Sequence, residues 1–177
     1  MLTIDRATST LLLIDFQARL MPAIEDGAAA IANARRLFDA AAMLDVPVLV
    51  TEENAAGLGP TLPELMPASG RVAHKMSFDA CRSAGFIERL GDRPAIVVAG
   101  CEAHVCVLQT VLGLIAAGRR VYLVCDAVAA RRAESKATAI ARMAQHGAEI
   151  VTAEMVVFEW LGSAEHPRFR DALALVR

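Results

Sequence analysis

Lysine is nearly missing from this chain of 177 residues: Lys75 and Lys136 stand against 16 arginines and 35 alanines. An excess of either charge is missing too, with 18 Lys and Arg against 20 Asp and Glu and a net charge of −2. The arginines are scattered rather than gathered into one stripe. Phosphate binding needs a basic footprint, so this balance argues against nucleic acid as a partner and against an anionic membrane surface. Long apolar runs are also lacking. The longest, from Ala95 to Gly118, is broken by Glu102, His104, Gln109 and Thr110, and falls short of the roughly 20 apolar residues that span a bilayer. The opening MLTIDRATSTLLLIDFQ has no basic n-region, and its apolar run is too short for a secretory signal. Cys81, Cys101, Cys106 and Cys125 follow no zinc spacing, and without a secretion signal they are expected to be reduced thiols in a cytoplasm. The first strand-like run is not followed by G-x-G-x-x-G, and Gly57-Leu-Gly59 follows the wrong run, which leaves a dinucleotide loop unsupported. There is no internal repeat, low-complexity tract or linker.

What the chain does have is enough apolar material for one core. Its 18.8 kDa and 55% hydrophobic, 21% charged composition exclude disorder and predict a single domain over 1–177. At this size roughly 70% of the unfolded surface is buried without a staple or metal. Apolar runs of strand length recur at 11–14, 46–50, 71–74, 95–99, 121–125 and 148–151. Between them lie helical patterns at 27–41, 86–90, 105–117 and 134–146, a loop with three prolines and three glycines at 52–70, and short helices at 153–160 and 167–176. Strands alternating with helices predict an α/β fold, a three-layer doubly wound sandwich around a six-stranded, mostly parallel sheet. An apolar helix face near Phe158, Trp160 and Leu161 is expected to remain exposed and available to an interface.

In such a sheet, ligands sit outside the carboxyl ends of the strands. The residues there include Asp15, Thr51 to Glu53, Lys75, 100–106 and Asp126. From separate strands these supply an acid, an amine and a thiol: Asp15, Lys75 and Cys106. In a chain that otherwise uses arginine for positive charge, the lysine at a strand end draws attention, because its compact ammonium has a movable pKa. Cys106 falls in the first helical turn after the central strand, where unpaired amides and a nearby ammonium are expected to lower the thiol pKa. Asp15 is placed to take the thiol proton and return it to a leaving group, and the backbone amides of Glu102 and Cys106 to hold an oxyanion. The set describes acyl transfer through a thioester. Phe16, Glu53, Leu58, Phe78, His104 and Val105 are candidates for the substrate pocket. Cys101, His104 and Cys106 have the wrong spacing for a metal, so neither metal nor cofactor is expected. His74 and His104 read as pocket lining or satisfied core groups, and Cys81, Cys101 and Cys125 as structural thiols. A non-enzymatic oligomeric binding or scaffold protein stays open, as does a redox-responsive protein in which Cys101 resolves Cys106.

The residues resemble the isochorismatase-like cysteine hydrolases along essentially the whole chain. LLLIDFQ at 11–17 is similar to the strand motif that carries the family's acid, RVAHKMSFDA at 71–80 to the segment with its lysine, and VVAGCEAHVCVLQT at 97–110 to its nucleophile motif. TEENAAGLGPTLPEL at 51–65 resembles the loop of the isochorismatase domain-containing proteins. The resemblance implies a six-stranded parallel sheet, a small-molecule substrate, and a homo-oligomer in which a neighbouring chain often closes the pocket. It also implies a non-proline cis peptide at Cys101–Glu102. Family members that bind a metal do so through an Asp and two histidines. Thr51-Glu52-Glu53-Asn54 in the comparable loop departs from that pattern, which argues against a metal and against nicotinamidase activity.

Overall fold

The computed structural model describes residues 2–67 and 71–177. Six strands form one sheet: β1 (Ser9–Ile14), β2 (Val48–Glu53), β3 (Val72–Lys75), β4 (Ala95–Cys101), β5 (Arg120–Ala129) and β6 (Glu149–Val151). Their order is β3-β2-β1-β4-β5-β6, and every neighbouring pair is parallel. The chain winds outward from β1 to β3, returns to β4 beside β1, and continues the other way. The reversal therefore lies between β1 and β4, and the crevice of a doubly wound sheet opens at their carboxyl ends.

Strand alternation divides the core in two. Leu11 and Leu13 of β1 face one side, with Val97 and Ala99 of β4, against α1 (Gly27–Met43), α6 (Ala153–Leu161) and α7 (Phe169–Val176). Leu12 and Ile14, with Ile96 and Val98, face the other, against α3 (Phe86–Leu90), α4 (Leu108–Ala116) and α5 (Ala133–Gln145). Both faces are covered, which is why these strands read as unbroken apolar runs. Each buried Leu, Ile or Val contributes about 1.5–3 kcal/mol. On α1 the alanines at 30, 34, 40 and 41 line the buried face, combining the best helix former with a side chain small enough for close approach to the sheet.

Several elements depart from the sequence reading. β5 does not stop at Asp126 but runs on to Ala129. The Asp126 carboxylate accepts from the Ala153 amide at 2.9 Å, and its carbonyl accepts from Asn33 Nδ2 at 2.7 Å. A satisfied carboxylate is tolerated inside the strand, and the ladder resumes after a register shift, pairing Gly100 with Val128. The helix expected over 105–117 begins instead as one π-helical turn, Ala103–Val107, that runs into α4. Of the 52–70 loop, residues 52 and 53 belong to β2, while α2 (Ala55–Leu58) and a 3₁₀ turn at Pro63–Leu65 order much of the rest. Residues 68–70 lie outside the described residues. The apolar face of α6 is not exposed: Trp160 and Leu161 are buried and Phe158 packs against the same core, because α7 folds over α6. Among the described residues, no helix is long and apolar enough to cross a membrane.

Candidate active site

The site is assembled at the carboxyl ends of β1, β2, β3 and β4. Directly after β1, Asp15 adopts a left-handed conformation (φ 54°), one that Asp tolerates better than most residues. Its Oδ1 accepts from Thr51 Oγ1 at 2.6 Å, and its Oδ2 from Lys75 Nζ at 2.7 Å. Lys75 is the last residue of β3, and its ammonium also donates to Glu53 Oε2 at 2.8 Å. Glu53 is the register partner of Lys75 at the end of β2. Gln17 fixes it from the other side, accepting from the Glu53 amide at 2.9 Å and donating to the Glu53 and Gly59 carbonyls at 3.0 and 2.7 Å. Lys75 is 5% exposed and Asp15 fully buried. Removing such ions from water costs several kcal/mol each, offset only where partners are close and well directed, as these are. Burial works to lower the Lys75 pKa. The charge and hydrogen bond of Asp15, helped by Glu53, override it and hold the ammonium above its ordinary value.

Cys106 arrives on the π turn that follows β4, a local geometry common at functional sites. The Cys101–Glu102 peptide before it is cis. Gly100 is what lets this turn sit against Asp15. At its φ of 154°, a Cβ would collide with the Ile14 carbonyl oxygen and side chain at the end of β1. The Cys106 sulfur and one oxygen each of Asp15 and Glu53 lie within 4.8 Å of one another. The thiol is not acidified as the sequence suggested. Burial raises its pKa most, the Asp15 charge raises it further, and Lys75 offsets only part of this. Against the pull of a helix start and a nearby ammonium stand two carboxylates that share that ammonium, and Cys106 is only 6% exposed.

A cavity of about 310 Å³ opens over the sulfur. Asp15, Glu53, Glu102 and Cys106 line it, with Leu58, Phe78 and Val105 as apolar walls; all seven were candidates from the sequence. Two others belong elsewhere. Phe16 is fully buried and packs into the core on the α1 side, held under the 58–62 loop by a hydrogen bond from the Leu62 amide to its carbonyl. His104 lines an adjacent cavity of about 440 Å³ with Arg131, Arg132 and Ser135, and its Nδ1 is buried without a partner among the described residues. His74 points away, its side chain 70% exposed beside Glu52 at 3.2 Å. Arg19, Leu20, Ala23 and Arg131 line the cavity without having been anticipated. Arg19 Nη1 donates to the Ala56 and Gly57 carbonyls at 3.1 and 3.2 Å, bracing the loop above the site. Arg131 reaches the rim because β5 is longer than its apolar run, and its Nε donates to Glu102 at 2.9 Å.

Asp15, Glu53 and Cys106 are the one cluster among the described residues with donor atoms spaced to hold a metal. The place between the two carboxylates is already taken by the Lys75 ammonium, and no histidine joins them, so the set does not fit the Asp and two-histidine pattern. None of the other three thiols lines this cavity. Cys101 is wholly buried on the α1 side of the sheet, whereas Cys106 belongs to the opposite face. Burial pushes Cys101 and Cys81 up to about 12 and also raises Cys125.

Residues 9–155 match the family model described as the Isochorismatase domain. Isochorismatase domain-containing protein 2 of Danio rerio is 34% identical over 171 residues, covering 95% of this chain and 86% of that protein. A structure described as the MAR1 ribonuclease from Caenorhabditis elegans superposes with a TM-score of 0.93 at 33% identity, covering 98% of this chain and 92% of that one. Two proteins called YcaC each superpose with a TM-score of 0.88 at 25% identity. The Escherichia coli one, covering 99% of this chain and 88% of its own, is described as an octameric hydrolase of unknown specificity. The Pseudomonas aeruginosa one, covering 98% and 91%, is described as carrying hexane-2,5-diol and covalent acrylamide.

Proposed function

This chain belongs to the isochorismatase family, and from that premise we propose that it is a metal- and cofactor-independent cysteine hydrolase of small amides or other C–N acyl bonds. The observation that carries the reading is the Asp15 carboxylate, hydrogen-bonded to the Lys75 ammonium and with an oxygen within 4.8 Å of the Cys106 sulfur beneath one small cavity. The thiol is protonated at rest, so attack is coupled to proton transfer. The sulfur bonds to the acyl carbon as its proton passes to Asp15, and the carbonyl electron pair moves onto oxygen. The backbone amides of Glu102 and Cys106 are the donors assigned to that oxyanion. Asp15 then protonates the departing nitrogen, the C–N bond breaks, and an amine or ammonia leaves a thioester on Cys106. Water cleaves the thioester to an acid and restores the thiol. Lys75 stays charged throughout, holding Asp15 in position and stabilising it whenever it is ionised. A covalent acrylamide on the P. aeruginosa neighbour fits a nucleophile in that fold.

The C. elegans description raises a second reading, cleavage of RNA, with Arg19 and Arg131 at the cavity mouth in its favour. Those arginines already serve the loop carbonyls and Glu102, and a net charge of −2 gives a polyanion little to follow. The octameric E. coli neighbour supports a homo-oligomer. The deciding experiment is an ammonia-release screen over small aromatic and aliphatic carboxamides, run beside an RNA substrate, with Cys106→Ala as blank. The reading expects Cys106-dependent ammonia from at least one amide. RNA cleavage without amide turnover would overturn it in favour of the second reading, and inactivity throughout would favour a silent scaffold.

A further inference from the structure

Asp15 and Glu53 flank the same ammonium, yet their free valences differ. Both Asp15 oxygens are engaged: Oδ1 accepts from Thr51 and Oδ2 from Lys75. Glu53 spends only Oε2, on Lys75 at 2.8 Å. Among the described residues its Oε1 has no hydrogen-bond partner, and it is not one of their fully enclosed unpaired polar atoms. The residue is 6% exposed overall and lines the cavity over the sulfur. Gln17 clamps the Glu53 backbone through both its amide and carbonyl, which denies the carboxylate the freedom of an ordinary surface acid. The arrangement is an acceptor oxygen without a partner among the described residues, on a carboxylate one of whose oxygens lies within 4.8 Å of the nucleophile.

We propose that Glu53 is a second catalytic carboxylate, the general base that activates water to hydrolyse the acyl-enzyme, while Asp15 serves the thiol and the leaving group. This rests on the cysteine-hydrolase reading. In the step, a water hydrogen-bonded to Oε1 gives its proton to Glu53 as its oxygen bonds to the acyl carbon, and the carbonyl electrons move to oxygen. When the carbonyl re-forms, the C–S bond breaks, and the departing sulfur takes the proton held by Glu53. One water is consumed, one carboxylic acid leaves, and Glu53 and Cys106 return to their starting states. The division is economical for charge, since after acylation Asp15 has given its proton to the departing nitrogen and still faces Thr51 and Lys75, whereas Oε1 is open.

The test uses p-nitrophenyl acetate, whose leaving group needs no proton, so that the nitrophenolate burst reports acylation and the steady rate reports water attack. Glu53→Gln should keep the burst rate within about threefold of wild type while the steady rate falls about 100-fold, the scale of one general base. Acid-quenched protein should then carry an acetyl group on the Cys106 peptide. The burst amplitude itself counts folded sites, and Glu53→Asp, which keeps the charge but retracts it, should recover part of the steady rate. If Glu53→Gln instead slows burst and steady rate equally, with no acetyl accumulating, Glu53 only tunes Asp15 and the proposal is overturned while the cysteine mechanism stands. If wild type and Cys106→Ala behave alike, both are overturned.

Discussion

Lys75 carries more of the site than its single charge suggests, because two buried carboxylates depend on it. Lys75→Met should remove their common counter-ion and destabilise the fold by about 3–5 kcal/mol, the cost of stranding buried charge. Urea denaturation measures this, and adding Asp15→Asn should restore part of the loss. The thiol behaves differently from the acidified cysteine a helix start suggests. With its pKa raised by burial and by Asp15, the thiolate fraction at neutral pH is small. Iodoacetamide labelling of Cys106 should therefore keep accelerating at and above pH 9, and a plateau reached below pH 8 would contradict that protonation state. At this scale the sequence was informative about identity and poor about environment. Asp15, Lys75 and Cys106 stand out because each ends or follows an apolar run. The two-to-one ratio of carboxylate to ammonium was hidden, since Glu53 reads as one of two adjacent loop acids and only β2–β3 register shows which of them meets Lys75.

Two turns bring the site together, one after β1 and one after β4, and Gly100 governs their approach. Gly100→Ala places a methyl group against Ile14 at a backbone angle that non-glycine residues rarely adopt. Together these should cost about 3 kcal/mol or more and eliminate nitrophenolate release even in protein that remains soluble. Circular dichroism melts beside the burst assay measure both effects. The strands were readable because burial on both faces leaves a continuous apolar run. The π turn was not, since Ala-His-Val-Cys-Val fits an ordinary helix start and its Val107-to-Glu102 hydrogen bond at 3.2 Å is invisible in composition. Arg131 was missed for a related reason. Asp126 looks like a strand terminus, but its carboxylate serves the start of α6, so the strand continues and delivers the arginine to the cavity.

At the scale of the molecule, Phe78 lines the cavity while 51% exposed, and Met76 beside it is 74% exposed. A second copy covering them would complete the mouth of the site, so light scattering should give a multiple of 18.8 kDa; a fully active monomer would contradict this. Stability should also fall on the alkaline side. The Cys101 thiol is held up to about 12 in the fold, chiefly by burial, while an unfolded cysteine titrates near 8.5. Between those values the unfolded chain binds fewer protons, so stability is lost as pH rises through the window. Melting temperatures measured from pH 8 to 12 should decline, and less so in Cys101→Ala. The most direct measurement of the central claim is the mass of the protein quenched in acid during turnover of the best amide substrate. The mechanism predicts an adduct equal to the substrate less its amine, confined to the peptide that contains Cys106 and absent from Cys106→Ala. Turnover by an unmodified chain, undiminished in that variant, would contradict it.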